Sequence, residues 1–184
     1  MAMADADGIF TLVDVGDIGR NSDGSVFRNS SIGKRLKRGG LNVPSPNCLP
    51  GSRNQEAFPY YCVADEAFPL LPTLLRPFPK KVLNDVKNIF NFRLSRGRKS
   101  VECAFGMLTS KFRVFEVPMA CDETCVIAVV KAACVLHNFI RLREGKKYQP
   151  SNFNVTQVLP EIPDGSVLQP STTQTPAVRL HRYI

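Results

Sequence analysis

The chain has 184 residues, of which 43% are hydrophobic, so it is long enough and apolar enough for one domain with a core. The same composition excludes a protein that is disordered throughout. Twenty-four basic residues against sixteen acidic ones give a net charge of +8, which favours nucleic acid or another polyanion as partner, although many basic proteins bind neither.

The six cysteines favour free thiols over disulfides or a metal site. They form no CxxC pair or Cys/His cluster, and the start MAMADADGIF lacks the basic segment and long apolar run of a secretory signal. A reducing compartment is therefore expected. Cys121 and Cys125 have a spacing near that of metal ligands. Because a third ligand is missing nearby, they are predicted to be a buried pair one helical turn apart.

In the first part of the chain, the sequence predicts a strand, a short helix and a loop. Alternating apolar residues predict the strand over residues 8–15. Residues 25–38 are predicted to form the helix, with Ser22 or Asp23 as its N-cap. Residues 39–55 are rich in Gly, Pro, Asn and Ser, which predicts a long loop.

The middle of the chain predicts a buried strand and a helix. The aromatic and β-branched run at residues 58–64 predicts a strand that ends at Asp65. Four prolines between residues 69 and 79 exclude a long helix there. From about residue 83 the pattern becomes helical. One apolar stripe of this helix consists of Val101, Phe105, Leu108 and Phe112.

A second helix is predicted over residues 122–143. It is apolar almost all round, which predicts burial on most of its faces, while three polar residues interrupt the run and make a membrane span the less favoured interpretation. Two of them, His137 and Asn138, are predicted to serve in packing and hydrogen bonding. The polar, proline-rich sequence that follows predicts one domain over residues 1–145 and a mostly disordered tail over residues 146–184.

Two carboxylates are candidates for a divalent-metal site because of their positions. Asp65 follows a strand that is predicted to be buried, and Glu102 lies on the helix that follows. A metal-dependent nuclease needs acids from different elements at one point, since Mg²⁺ prefers oxygen ligands and keeps several waters. Two such ions would bind the attacking water and the leaving oxygen of a phosphodiester. The residues alone leave open a simpler role for Glu102, as ion-pair partner of Arg98 on a solvated helix.

A strongly basic segment surrounds Glu102. Ten basic residues lie between Arg76 and Arg113, and only Asp85 and Glu102 oppose them. Such a surface would attract a phosphate backbone with a strong dependence on salt. The residues predicted to contact DNA are Arg93, Arg96, Arg98, Lys99, Lys111 and Arg113.

Four blocks, in order, resemble PIF/Harbinger-type DDE transposases and the nucleases derived from them. The run YYCVADEAFPLLPTLLRPFP resembles the block that carries the second catalytic Asp, and FNFRLSRGRKSVECAFGMLTSKFRVF resembles the helix that carries the catalytic Glu. The stretch ADADGIFTLVDVGDIGRNSDGSVFRNS resembles the preceding hairpin and its Gly-Ser-Asp turn, and CVLHNFI resembles the closing helix. Together these blocks cover roughly residues 4–143 and correspond to the C-terminal part of the catalytic domain.

The resemblance implies an α/β fold with an RNase H-like core, in which helices flank a mixed sheet and an Asp-Asp-Glu site binds Mg²⁺ or Mn²⁺. Asp65 then matches the second acid and Glu102 the third. Asp23 matches a further acid close to the site, although a role in the turn or as N-cap is equally open. DNA is the implied substrate and a Myb-like DNA-binding protein the implied partner. The nucleus is the implied location, with the cytoplasm as a second one.

The sequence departs from the family pattern at the first catalytic Asp. In the family this residue lies on an earlier strand, within an Ile-Asp-Gly-Thr-His type block, and Asp5 and Asp7 match the start of the next strand instead. We therefore expect an N-terminally truncated nuclease that hydrolyses DNA phosphodiester bonds poorly, because one of three acids is missing. The missing strand would leave an unpaired sheet edge that favours self-association. The alternative is a non-catalytic DNA- or protein-binding module of transposon origin.

Overall fold

A mixed five-stranded sheet forms the centre of the computed structural model, which describes residues 1–17, 21–48, 56–148 and 178–181. The strands are β1 (Ala2–Ala4), β2 (Phe10–Val13), β3 (Asn47–Cys48), β4 (Ala57–Phe58), β5 (Cys62–Val63), β6 (Leu74–Leu75) and β7 (Val178–His181). β3 pairs with β4, and the other five have the order β2-β1-β7-β5-β6. β1 is antiparallel to both of its neighbours, whereas β5 is parallel to both of its own. With the helices described below, the predicted α/β class with a mixed sheet is confirmed.

The strand predicted over residues 8–15 is β2, which forms a hairpin with β1. The turn between them is held by Asp5, whose Oδ1 accepts hydrogen bonds from the backbone N–H groups of Asp7 (3.0 Å) and Ile9 (2.9 Å). Gly8 has a φ of 76°, a conformation that glycine adopts without steric cost. Because the turn extends this far, the strand begins at Phe10 and not at Gly8.

Two short helices stand where one was predicted. They are α1 (Asp23–Asn29) and α2 (Ser31–Lys37), and the residue between them, Ser30, has an extended backbone with φ −64° and ψ 154°. The Ser30 hydroxyl accepts a hydrogen bond of 2.8 Å from the N–H of Gly33, so Ser30 is the N-cap of α2. The sequence contained this stop signal, since serine competes for backbone hydrogen bonds inside a helix and favours the cap.

The two long helices pack against one face of the sheet. They are α3 (Asp85–Lys111) and α4 (Glu123–Glu144). Asn84 is the N-cap of α3, and its side chain accepts a hydrogen bond of 2.9 Å from the N–H of Lys87. The predicted stripe of α3 is confirmed, because three of its members are buried and the fourth packs against them. This first core consists of Ala2, Ala4, Phe10, Val101, Ala104, Phe105, Leu108, Val130, Ala133 and Cys134.

A second core lies on the other face of the sheet. Side chains alternate along a strand, so Met3 faces away from the first core and packs with residues of α1, α2 and β5. Phe27 of α1 and Phe68, which follows β5, pack edge to face with their ring centroids 5.5 Å apart. This core attaches the two short helices to the end of β5, which is the part of the chain that leads to Asp65.

The prediction that α4 is buried on most of its faces is wrong. Within the described part of the chain, only Val130, Ala133, Cys134 and His137 of α4 are buried. Its outer side is exposed, because the domain covers this helix from one side alone. The predicted burial of Cys121 and Cys125 is wrong for the same reason, and both are exposed free thiols.

Most of the predicted tail, residues 146–184, lies outside the described residues. One segment of it, β7, occupies the central position of the sheet, between β1 and β5. β7 also packs against α3. β7 thus pairs with β1 on one side and with β5 on the other, and the described sheet gives no support to the predicted self-association through an edge left by a missing strand.

His137 and Asn138 attach α4 to the hairpin, as predicted. The Nε2 atom of His137 lies 2.9 Å from the carbonyl oxygen of Gly8, and the side chain is completely buried between the rings of Phe10 and Tyr148. The Asn138 amide bonds both backbone groups of Phe10, accepting from its N–H and donating to its carbonyl oxygen at 2.8 Å each. Two adjacent polar residues thereby fix the rotation of an otherwise apolar helix.

The burial of His137 predicts that the fold loses stability in mild acid. Burial lowers the pKa of His137 below its ordinary value of 6.5. The hydrogen bond to Gly8 raises this pKa and the charge of Arg141 lowers it, but burial is the largest of the three effects. The unfolded chain therefore binds the proton more readily, so this stability is fully present above pH 6.5 and is lost as the pH falls below it. Urea unfolding between about pH 7.5 and about pH 5 measures the loss.

The matched variant for this measurement is His137→Gln. Its amide can still donate to Gly8 but takes up no proton in this range. The variant is expected to be less stable at neutral pH, with a flatter dependence on pH than the parent chain. An equally steep dependence in both proteins would assign the effect to another group.

Candidate metal and DNA site

Asp65 lies two residues after Val63, the last residue of β5, at the carboxyl end of the strand. The strand is held there by its ladder with β6, which includes the bond of 2.8 Å from the N–H of Ala64 to the carbonyl oxygen of Leu75. The Oδ1 atom of Asp65 accepts a hydrogen bond of 2.9 Å from the N–H of Ala67, which closes a tight turn after the strand. The side chain is half-buried. The strand predicted over residues 58–64 is confirmed only at Cys62 and Val63, because Phe58 is exposed and belongs to β4 of the other sheet.

Arg76 holds the same turn from its other side. Its Nη1 atom donates hydrogen bonds to the carbonyl oxygens of Glu66 (3.2 Å) and Phe68 (3.1 Å). Sequence analysis counted Arg76 only as one charge of the basic segment. Its signal in the sequence was its place between two prolines, Pro72 and Pro77, directly after β6, which runs parallel to β5. Arg76 therefore contributes to the position of Asp65 without touching it.

Asp23 lies in the first turn of α1, close to the turn that follows Asp65. A side-chain carbon added at Gly24 would lie 3.0 Å from the carbonyl oxygen of Ala67, so the backbones approach closely at this point. Ser22 is the N-cap of α1, although its side chain makes no capping hydrogen bond. Of the two predicted candidates, Ser22 therefore occupies the cap and Asp23 is the first helical residue.

Glu102 lies on α3 and forms an ion pair with Arg98. The Nη2 atom of Arg98 is 3.7 Å from the Oε1 atom of Glu102, and their side chains are 24% and 40% exposed. A pair as exposed as this contributes about 0–1 kcal/mol to stability, because water and salt screen it. Burial and then the negative charge of Glu102 raise the pKa of the neighbouring thiol of Cys103. The simpler role left open by the sequence, pairing with Arg98, is thus present.

The three predicted metal ligands do not form a preassembled site. Across residues 1–17, 21–48, 56–148 and 178–181, no three acidic, His or Cys side chains are grouped closely enough to hold a metal ion. The donor chemistry nevertheless fits a hard divalent cation, because carboxylate oxygens are its preferred protein ligands. Mg²⁺ is often bound by one or two carboxylates, with waters and substrate phosphates as its other ligands.

The six predicted DNA-binding residues do not form one continuous patch. At 3.6 residues per turn, Arg93, Arg96 and Lys99 follow one another at intervals of three residues toward Glu102, and Arg98 lies one turn before Glu102. The last two predicted residues lie at the far end of the helix, and Lys111 is about 27 Å from Arg93 along the axis.

Those last two residues also have contacts of their own. The Nζ atom of Lys111 lies 5.6 Å from the centre of the Tyr148 ring. The Nε atom of Arg113 lies 3.3 Å from the Oε2 atom of Glu116. Arg98 and Lys99 are therefore the predicted cations on the same side as Glu102.

The chain belongs to the DDE superfamily endonuclease family, because the sequence model of that family matches residues 1–138. The chain is also 33% identical over 141 residues to a protein of Arabidopsis thaliana that is described as "Protein ALP1-like". That match covers 76% of this chain and 34% of the relative, so the chain spans about a third of the relative's length. No solved structure matches the chain with statistical significance. The family predicted from the four sequence blocks is confirmed at the level of DDE endonucleases.

Proposed function

We propose that this chain is the part of a PIF/Harbinger transposase-derived DNA nuclease that carries the second and third catalytic acids, Asp65 and Glu102. It would hydrolyse DNA phosphodiester bonds with Mg²⁺ or Mn²⁺. By itself it would do so weakly, because these 184 residues contain no counterpart of the first acid. The observation that carries the proposal is the match to the DDE endonuclease family over residues 1–138, which include both acids.

The positions of the acids support a shared site. Asp65 lies just past the end of β5. The helix that carries Glu102, α3, packs against β5. Cys62 and Ala64 belong to the second core, on the face away from α3, so alternation assigns Asp65 to the side of α3. Asp23 is a candidate for the further acid because α1 begins against the turn that follows Asp65.

Each residue of the proposed site has a distinct role. The bond from Ala67 fixes Oδ1 of Asp65 and leaves its Oδ2 to bind a cation. Arg98 forms an ion pair with Glu102 and thereby positions its carboxylate. A divalent ion, when bound, activates a water and neutralises charge on the phosphate. Arg98 and Lys99 would bind the DNA backbone beside it, so that the phosphate approaches from the side of α3.

An RNase H-like core without its first strand fits the order of the sheet. The strand between β1 and β5 has to run antiparallel to β1 and parallel to β5, and β7 meets both conditions in this chain. A strand that carried the first acid would need the same position. It would then lie directly beside the strand that ends at Asp65, where a third carboxylate is required.

The proposal includes a protein partner and a cellular location. A Myb-like DNA-binding protein would bring the nuclease to its DNA, since contacts of basic side chains with the phosphate backbone carry no sequence information. Chromosomal DNA as substrate implies the nucleus, with the cytoplasm as a second location. Co-purification with a Myb-like protein from nuclear extract tests this part separately.

Nicking of supercoiled plasmid in the presence of Mn²⁺ tests the catalytic assignment. Asp65→Asn and Glu102→Gln are each expected to lower the nicking rate about 100-fold or more, because each removes charge that binds the metal ion. Titration calorimetry with Mn²⁺ alone should show weaker binding to both variants. This second measurement remains informative if nicking by the parent chain is slow.

Two nearby acids provide matched controls. Glu66 follows Asp65 but is exposed, and Asp85 lies in the exposed first turn of α3. Glu66→Gln and Asp85→Asn are expected to nick DNA and bind Mn²⁺ like the parent chain. If all four variants behave alike, the assignment of Asp65 and Glu102 is wrong.

A non-catalytic DNA-binding module is the second candidate function. The Arg98–Glu102 ion pair favours it, since Glu102 already has a partner that does not require metal. In this case the chain would bind DNA equally well with EDTA, and binding would weaken steeply with salt. Fluorescence anisotropy with labelled duplex, measured together with plasmid nicking, distinguishes the two. Both would retain binding on Glu102→Gln, but only the nuclease would show cleavage that this change removes.

A further inference from the structure

An exposed apolar stripe runs along the outer side of α4. Its members recur at alternating intervals of three and four residues: Cys125, Ala128, Ala132, Val135, Phe139 and Leu142. Within the described part of the chain, Val135, Phe139 and Leu142 have 68%, 55% and 74% of their surface exposed. The spacing is that of positions a and d in a coiled coil, which face a partner helix.

The opposite side of α4 is fixed to the domain. Val130 and Ala133 are buried in the first core, and His137 and Asn138 bond the backbone of the β1–β2 hairpin. The helix therefore cannot rotate to bury the stripe without breaking these bonds. Large apolar side chains exposed at regular spacing indicate an interaction surface more strongly than scattered ones do.

We infer that α4 pairs with α4 of a second copy of this chain, with the two helices antiparallel and the twofold axis between Ala133 and Cys134. The sizes of the side chains argue for this arrangement. Small residues form the first half of the stripe and large ones the second half. Antiparallel pairing places Cys125 opposite Leu142, Ala128 opposite Phe139, and Ala132 opposite Val135. Each layer then contains one small and one large side chain, and the surface is complementary to itself.

The charges beside the stripe fit the same arrangement. Asp122 and Arg143 are exposed and lie three heptads apart, so they have equivalent positions on the same flank. Antiparallel pairing places Asp122 opposite Arg143 of the partner subunit at both ends of the interface. Lys131 then lies opposite Asn138 of the partner subunit, so like charges do not meet there. Parallel pairing would instead bring two copies of the same charge to each end.

A lipid surface is the competing occupant of this stripe. By length and composition α4 is apolar enough to cross a membrane. Insertion would require His137 and Asn138 to release the hairpin and enter the hydrocarbon, which costs several kcal/mol for each unpaired polar group. The second copy needs no such change, and vesicle binding is included in the test.

Light scattering of the purified chain over a range of concentrations tests the dimer. The parent chain is expected to dimerise. Phe139→Glu is expected to raise the dimer dissociation constant at least about tenfold, because it places a charge in an apolar layer between the two helices. The matched control is Val86→Glu, which changes an apolar residue of α3 that is 75% exposed. A parent chain that stays monomeric, or an equal effect of both variants, overturns the proposal. Circular dichroism verifies that both variants fold.

A disulfide experiment resolves the orientation of the helices. Leu142→Cys, made together with Cys121→Ser, is expected to form a covalent dimer on mild oxidation. Peptide mass spectrometry should find the new thiol linked to Cys125 of the partner subunit. Links between two new thiols would show parallel pairing and overturn the antiparallel arrangement. Cys121→Ser alone is the control for linkage through the other cysteines.

A charge exchange tests the rim contacts. Asp122→Lys and Arg143→Glu are each expected to weaken the dimer by a factor of about three to ten, and the double variant should recover most of the loss. Additive weakening in the double variant contradicts the contact. Flotation with anionic phosphatidylcholine–phosphatidylserine vesicles covers the lipid alternative. Vesicle binding by a monomer that Phe139→Glu abolishes would overturn the proposal in favour of a membrane surface.

Discussion

Replacing Gly33 by alanine is expected to destabilise the domain by about 3 kcal/mol, at the upper end of the cost of overpacking. A β-carbon at this position would lie 1.8 Å from the carbonyl oxygen of Phe27 and 2.8 Å from its carbonyl carbon. Alanine is the better helix former by about 1 kcal/mol, but the clash is with backbone atoms and exceeds that gain. Phe27 is almost completely buried in the second core, so the two helices have to separate.

The matched control for this prediction is Gly40→Ala. A β-carbon at Gly40 would lie 3.7 Å from the carbonyl oxygen of Arg35, which is an ordinary contact, so little change in stability is expected. Urea unfolding curves of both variants measure the difference through their midpoints at equal slope. Equal midpoints for Gly33→Ala and the parent chain would contradict the close approach of α1 and α2.

The sequence predicted best the elements whose own periodicity is long enough to be recognised. α3 shows its buried stripe over three turns, whereas the strand predicted over residues 58–64 shortens to Cys62 and Val63. The break at Ser30 between α1 and α2 was missed because apolar residues recur on both sides of a polar run only four residues long, Arg28 to Ser31. β1 has three residues and β7 four, and such short segments take their conformation from the neighbours that they pair with.

The error on α4 has a different physical origin. A helix that is apolar on all sides is usually buried on all sides. The composition of α4 therefore did not indicate that the rest of the domain leaves one side of this helix uncovered. His137 and Asn138 indicate which side faces inward, since polar residues in an apolar helix need partners. The stripe on the other side has the spacing of a coiled coil, a pattern that was already present in the sequence.

The sequence predicted which residues form the candidate site, but it did not predict how they are arranged in space. The resemblance of two sequence blocks to the family is what selects Asp65 and Glu102 as the proposed ligands. Their arrangement depends on the turn that Ala67 and Arg76 stabilise after β5, and backbone hydrogen bonds of this kind leave little trace in a sequence. The distance along α3 between Arg93 and Lys111 also follows from helical geometry, which a count of charges ignores.

Replacing Asn138 by leucine is expected to lower the free energy of unfolding by about 2–4 kcal/mol, because both backbone groups of Phe10 lose a partner. These bonds of 2.8 Å each make the Asn138 amide act like a neighbouring strand for β2, which lies at the outer edge of the sheet. Leucine has the same branched shape as asparagine and is not smaller, so a cavity does not explain the loss. Thermal or urea unfolding at neutral pH measures it.

Asn138→Asp makes the same prediction quantitative. The carboxylate still accepts from the N–H of Phe10 but cannot donate to its carbonyl oxygen, so an intermediate loss is expected. Lys131→Ala, an exposed change on the same helix, should leave stability within about 0.5 kcal/mol of the parent chain. Amide exchange at Phe10 adds a local test, since only the leucine variant removes the acceptor of its N–H. If that amide stays as protected as in the parent chain, Asn138 does not hold the hairpin against α4.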